Sequence, residues 1–436
     1  MIGIRTKWPA IGAILLVISG PIQAQVEVHG EVYPLARLTL NEHRFLSLPQ
    51  RLVAVDVSKY GDRVGLHFAM AAETRMADSD VTLDLREAYI EYQTNFGDVR
   101  FGKQIHAWGA VDGNNPTDNV TPYDFYYLFF PGTDRKRGNV TASSNIYLGS
   151  SQMEVIFTPI FTPNRVPIGD PDMPIGGGDI SVAMLPHEIL PERDLEHAEY
   201  GVRLSRSIGS ADVSLSYFSG NDRMFTVHPL PASGIPDPNF VPYRAYHRTN
   251  VVGGDIVWYL GDWGFRGEAA YFMTEDADGT DGFIRNPYLQ YVAQIERTAD
   301  DVTLSGSYIG TVVTKIDDDS WVDNPDPTSS VAVISERVNE TDLIGAKMGM
   351  PFAAIAQNAI MAVAKYSFLD QQYELGAQVL YDLDNSGYMI GGHLTITLED
   401  AFDLELAVSS FGGDEDSKLH ELEDFGHISA ALKYSF

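Results

Sequence analysis

The 436 residues contain no cysteine. That absence removes disulfides, thiol nucleophiles, Cys-ligated zinc and iron–sulfur clusters together. Basic charge is scarce too: 30 Lys and Arg stand against 60 Asp and Glu, a formal net charge of −30. A potential of that sign repels nucleic acid and attracts cations, so no nucleic-acid partner is expected. After residue 25 no apolar run approaches the roughly 18 to 20 residues a spanning helix needs. A mean hydropathy of −0.11 agrees that this is no bundle of membrane helices. Yet 44% hydrophobic and 11% aromatic residues are too many for a disordered chain.

The N-terminus has a distinct pattern. Arg5 and Lys7 precede an apolar stretch from Ala10 to Ser19, which Gly20 and Pro21 break before Ile22-Gln23-Ala24. This predicts a secretory signal peptide over residues 1–24, cleaved after Ala24, with Ile22 standing where a second small residue is usual. The remainder, 25–436, reads as a single domain.

In that remainder apolar residues recur at every second position in segments of about ten, the pattern of a strand between lipid and water. In the last segment Ile428, Ala430, Leu432, Tyr434 and Phe436 share one face, and His427, Ser429, Lys433 and Ser435 the other. Phe402, Leu404, Leu406 and Val408 likewise oppose Asp403, Glu405 and Ser409. A soluble sandwich alternates in the same way, so the connections must decide.

Tight turns fall at 60–62, 95–98, 149–151, 208–211, 261–264, 298–301, 369–371 and 399–401. Between the hairpins they define lie long segments near 108–137, 162–194, 220–244, 275–285, 315–356 and 412–425, rich in Pro, Gly, Asp and Asn. Short turns on one side and long loops on the other are what a transmembrane antiparallel β-barrel requires, and compact soluble domains rarely carry several such loops. The count gives 18 strands, with 16 as the alternative because the first hairpins are weak and 341–358 reads as either loop or strand. A barrel of that size encloses an aqueous interior rather than a side-chain core.

Two segments resemble known proteins. The ending Tyr434-Ser-Phe436 resembles the terminal signature of Gram-negative outer-membrane barrels, with Ala431 where Gly is usual. Val99-Arg-Phe-Gly-Lys-Gln-Ile-His-Ala-Trp-Gly109 is similar to proteobacterial porin-like barrels that carry G-[RK]-Q-x3-W-G before a long loop. The resemblance implies location in the bacterial outer membrane, assembly through Phe436 by the barrel-assembly machinery, and lipid and lipopolysaccharide as neighbours. It implies no substrate.

The alternation turns Arg63, His67, Arg100, Gln104, Arg203, Asp255, Arg266, Glu268, Gln290, Gln294, Glu296, Lys365, Glu374, Gln378, His393, Asp403, Glu405 and Lys433 toward water. They are expected to line the pore. Both signs occur, which suits ions and hydrogen-bonding solutes without strong charge selection. The third long-side loop, 108–137, is too aromatic to lie loose in water. Folded inward, Tyr123, Phe125, Tyr126, Phe129 and Phe130 would pack on the wall and narrow the pore, as the third loop does in the porins it resembles. Arg135 to Arg137 would then face Asp112, Asp118 or Asp124 across the constriction and set up a transverse field. The competing reading is an aromatic cluster at the membrane rim.

Acidic runs at 275–282 and 317–323 could hold Ca²⁺ but lack the acid that closes an EF-hand loop, and read as solvated loop tips. No metal or cofactor is expected. His187-Glu188 lacks the second His of a metalloprotease helix, and neither a nucleophile elbow nor a P-loop occurs, so no enzyme is expected. The sequence therefore points to a monomeric or trimeric porin-like channel passing small hydrophilic solutes passively. Two alternatives stay open: a selective channel or exporter for amphipathic, aromatic or polysaccharide cargo, and a plugged structural or enzymatic barrel.

Overall fold

The computed structural model describes residues 25–77, 80–173, 187–228, 243–281, 284–315, 356–399 and 401–436. Alternating segments pair with their chain neighbours into one closed antiparallel barrel of 18 strands. β1 comes in two pieces, Gln25–Val32 and Leu35–Thr39. The next strands are β2 Gln50–Tyr60, β3 Val64–Thr74, β4 Val81–Gln93, β5 Gly97–Gln104, β6 Asn139–Leu148, β7 Ser151–Thr158, β8 Glu199–Ile208 and β9 Ala211–Asn221. Then follow β10 Arg248–Leu260, β11 Trp263–Thr274, β12 Tyr288–Ala299, β13 Val302–Val313, β14 Asn358–Phe368, β15 Tyr373–Asp382, β16 Tyr388–Glu399, β17 Phe402–Gly412 and β18 His427–Ser435.

Closure is made by β18, which pairs with β17 on one edge and with both pieces of β1 on the other. At the final residue, Gly30 and Phe436 exchange both backbone hydrogen bonds, at 2.8 and 2.9 Å. A Cβ on Gly30 would sit 2.3 Å from the Phe436 ring, so a larger residue would push that ring aside. A closed sheet has no edge strand to leave its backbone groups unpaired in hydrocarbon, which is why strands can span a membrane in this form alone.

The faces follow the sequence alternation. Ile428, Leu432, Tyr434 and Phe436 point away from the interior, as do Leu406 and Val408. Exposed Tyr60, Phe96, Tyr147, Trp258, Tyr259, Trp263, Tyr366 and Tyr434 cluster beside the short turns as an interfacial aromatic belt. All eight predicted turns join their strands, at 61–63, 94–96, 149–150, 209–210, 261–262, 300–301 and 369–372 and between Glu399 and Phe402. On the opposite rim the alternation of short and long is less strict than expected, because the connections at 75–80 and 383–387 are also short. The strand reading of 341–358 starts only at Asn358 among the described residues. The acidic run 317–323 and the leader lie outside them.

Several long-side connections fold inward. Leu46 and Leu48 from the first, Tyr123, Phe125 and Leu128 from the third, Met173 from the fourth and Leu419, Leu422 and Phe425 from the last form one apolar cluster. Its floor is the inner wall at Val292, Ile309, Leu380, Met389 and Phe411.

Candidate functional site: the third loop and the lumen

The third long-side loop, 105–138, leaves β5 and returns into β6 through the barrel interior. Its anchor is Glu268 on β11, only 3% exposed. One carboxylate oxygen accepts from the Thr117 N–H and Oγ1, both at 2.8 Å. The other accepts from Ala110 N–H at 3.0 Å and Asn115 Nδ2 at 3.1 Å. The loop thus wraps four donors around one wall carboxylate. Gly109 permits the wrap: it sits at φ +99°, and a Cβ there would lie 2.5 Å from both Asn115 Nδ2 and Glu268 Oε2. A second anchor lies beside it, where Asp112 accepts from Arg266 at 2.9 Å and from Gln294 Nε2 at 2.8 Å.

The aromatic run then packs inward. Tyr123 and Phe125 are buried, while Tyr126, Phe129 and Phe130 are half-buried, with Phe129 against Phe411 at 6.1 Å between ring centroids. Arg51 stacks on Tyr127 at 3.8 Å, and the Tyr127 hydroxyl donates to Glu73 at 3.0 Å. Arg165, from the fourth loop, clamps Glu73 through both terminal nitrogens at 2.9 and 2.8 Å and reaches Asp124 at 3.2 Å.

Of the basic run Arg135 to Arg137, one member meets an expected acidic partner, in direct contact. Lys136 pairs directly with Asp118 at 2.5 Å, both 2% exposed. Arg135 donates to the Gly113 carbonyl at 2.6 Å, Asp112 is taken by Arg266, and Asp124 by Arg165. Arg137 is tied through its backbone N–H to the Pro122 carbonyl at 2.9 Å. Burial pulls the Lys136 ammonium below its ordinary value despite Asp118 beside it. In a dry contact an unpaired charge is costly, so Lys136 and Asp118 neutralise each other directly instead of facing across water.

The fourth loop is stapled to the third through Asp170, which accepts from Arg75 at 2.6 Å and from the Tyr126 hydroxyl at 2.7 Å. Burial works against the Asp170 charge, but the hydrogen bonds from Arg75, Tyr126 and the Asp172 amide outweigh it, and the carboxyl is held below its usual range. A depressed folded value means the staple is complete above the ordinary Asp value of about 3.9 and is lost as pH falls through the lower folded value. Asp170→Asn is therefore expected to lower the melting temperature near neutrality, and the gap to the wild-type protein should close in acid. A gap independent of pH would show that Asp170 acts by shape alone.

The wall residues fall into two sectors. Under the third loop Gln104 bonds Thr141 and Ser143 and Glu268 is covered, both buried, while Arg203, part-exposed, pairs with buried Asp255 at 3.0 Å. Arg100, next to them, pairs with Glu91 at 2.8 Å. The second sector, β14 to β18 and β1, is more open. There Lys365 is exposed, His393 meets Glu374 at 3.2 Å, Asp403 accepts from Thr397, and Glu405 accepts from Tyr33. Lys433 faces Glu31 at 3.5 Å. Arg63 departs from expectation: it lies in the turn before β3, exposed, with its carbonyl accepting from Gln93, and is not on the wall. The polar alternation of β3 runs one residue past the strand itself.

No strand pattern pointed to Arg165, Asp170, Glu199 or Arg223. They act from loops or strand ends, through partners far away in the chain. Among the described residues no group of three or more His, Asp or Glu is placed to hold a metal ion. In the acidic run after β11, Asp276 instead accepts from the backbone of Gly279 and Asp281.

A family model described as "Protein of unknown function (DUF1302)" matches residues 67–436. The chain belongs to this family. No curated protein matches it. Among solved structures, this DUF1302 barrel is similar to Pseudomonas aeruginosa OccK3 (OpdO), with a TM-score of 0.54, 8% identity and coverage of 95% of this chain and 96% of that one. It is also similar to P. aeruginosa OccK2 (OpdF) in complex with glucuronate, at TM-score 0.52 and 9% identity, covering 95% and 97%. At such identity the likeness shows the fold alone, a closed antiparallel β-barrel of the kind seen in outer-membrane porins.

Proposed function

We propose that this DUF1302 protein is a passive outer-membrane channel for small hydrophilic solutes, limited in size by the third loop. The observation that carries this is the third loop's attachment around Glu268, which holds the loop inside the barrel, while polar side chains of β14 to β18 nearer the short turns, such as Lys365 and Glu374, stay accessible. Solutes would exchange water for the hydrogen-bonding groups of that sector, driven by their own gradient. Export by a cleaved leader over 1–24 belongs to the same reading. So does assembly through Phe436.

The open sector holds Glu31, Glu374, Asp403 and Glu405 against Lys365 and Lys433, an acid excess that favours cations. Single-channel recording of the folded protein in a planar bilayer under a salt gradient should give stable steps with a cation-selective reversal potential. Asp403→Asn with Glu405→Gln should move that potential toward zero. Silence from folded protein would overturn the channel reading.

A second reading is favoured by the apolar cluster of Leu46, Tyr123, Phe125, Leu128 and Phe425 inside the barrel on the long-loop side, which would have to part for cargo to reach it. It would suit cargo with an apolar body and a polar head. Current block by such a solute, absent with a sugar of equal size, would select it.

A further inference from the structure

β1 is broken where Pro34 stands, and the break changes what the barrel wall is made of. The first piece forms a full ladder with β2, from Gln25↔Tyr60 to Val32↔Val53, and Tyr33 N–H still reaches the Leu52 carbonyl at 2.9 Å. Proline then supplies no donor. The second piece, Leu35–Thr39, pairs with β18 but forms no ladder with β2. Its free edge is satisfied otherwise. Leu35 N–H donates to the Gln50 side chain at 2.9 Å, and the first loop folds back so that Leu46 N–H reaches the Arg37 carbonyl and the Arg44 carbonyl accepts from Thr39 N–H.

Residues 44–48 therefore stand in the wall in place of the outer part of β2. One edge bonds to β1. Beyond that edge the segment is held by loop contacts: Ser47 N–H to Asp172, Arg75 to the Ser47 carbonyl, and Ala77 N–H to Ser47 Oγ at 2.8 Å. A seam secured in this way opens at less cost than a strand ladder, because few backbone hydrogen bonds must break.

The two faces of this segment differ from ordinary wall. Outward, Phe45 is 57% exposed and borders a groove of about 580 Å³ on the lipid side, with Ala36, Leu38, Leu394, Val408 and Ile428. Inward, Leu46 and Leu48 are 3% and 4% exposed within the apolar cluster of the lumen. Apolar side chains thus stand on both sides of a few residues that lack a ladder to β2, an open groove outside and a packed cluster inside.

We propose that Phe45–Leu48 is a side panel through which single-chain amphiphiles pass between the lumen and the membrane, their alkyl chain seated in the outer groove. This deepens the second reading above, since it names the cargo and its exit. A hydrocarbon occupant follows from position: the groove opens on the lipid face, and apart from His393 and Ser429 its lining is apolar.

Because the chain has no native cysteine, Ser47→Cys with Ala77→Cys can lock the panel reversibly to the second loop. The probe is a diazirine-bearing fatty acid dissolved in vesicles that hold the folded full-length protein. In the reduced double variant, light should label both groove residues such as Ile428 and lumen residues such as Phe425. Oxidation should abolish lumen labelling while groove labelling stays, and reductant should restore it. Gly392→Leu fills the groove floor, where a Cβ meets nothing nearer than 3.7 Å, and should reduce both signals in folded protein. Lumen labelling indifferent to the lock, or absent from the reduced protein, would overturn the panel. Conductance of the same samples separates the two ideas: silent protein with lock-dependent labelling sinks the channel alone, whereas conducting protein without it sinks the panel alone.

Discussion

Glu268→Ala is expected to release the third loop and raise single-channel conductance, the largest functional change a single wall substitution should produce. The carboxylate accepts four hydrogen bonds from the loop and is almost wholly buried. Hydrogen bonds to a charged group contribute about 1.5 to 3 kcal/mol each, and a buried donor left unpaired costs about 1 to 3 kcal/mol. Truncation leaves the N–H groups of Ala110 and Thr117 without their acceptor, so residues 109–117 are stable only if they leave the wall for water. Glutamine should not rescue the loop. Each carboxylate oxygen faces two donors, and whichever one becomes the amide nitrogen must point its hydrogens at the loop's hydrogens. The measurement is paired: conductance of Glu268→Ala and Glu268→Gln beside wild type, and protease sensitivity of the loop in folded protein. Unchanged conductance with a protease-accessible loop would mean that the loop does not limit passage.

The same attachment shows how far the sequence could be read. Turns, strand faces and strand number depend on period-two alternation and on Gly, Asp and Asn at the turns, which are local features, so the sequence alone carries them. The inward fold of the third loop is legible from its aromatic run, since Tyr123 and Phe125 cannot face water at low cost. What its charges do is not legible. Lys136 could have met Asp112, Asp118 or Asp124 as far as spacing goes, and only the path of the chain through the barrel chooses Asp118. Glu268 looks like any other wall carboxylate, because burial under a loop leaves no mark on the alternation of β11. Arg63 shows the opposite failure: alternation counted past its strand places a turn residue in the pore. Pro34 is plain in the sequence, yet its meaning needs the ladder on both sides of it.

Breaking the pair between Arg223 and Glu199 should cost the most stability. Glu199, at the start of β8, is 0% exposed, and Arg223, just after β9, is 2% exposed; they meet at 2.6 Å. Arg223 also donates to the Val120 carbonyl of the third loop at 2.8 Å and the Thr162 carbonyl of the fourth at 3.2 Å, so one guanidinium ties three long-side loops together. Arg223→Met strands a buried carboxylate, a defect worth about 3 to 5 kcal/mol. Removing both charges, with Glu199→Leu added, should recover much of that cost, because desolvating an ion pair offsets most of its attraction. It should not recover all of it, since the carbonyls of Val120 and Thr162 and the Asn221 N–H, which donates to Glu199 at 3.0 Å, still lose partners. Urea unfolding in lipid vesicles should therefore rank wild type above the double variant, and the double variant above Arg223→Met. If the two variants were equally unstable, the loss would come from the loop carbonyls, and the buried carboxylate would carry little of the cost.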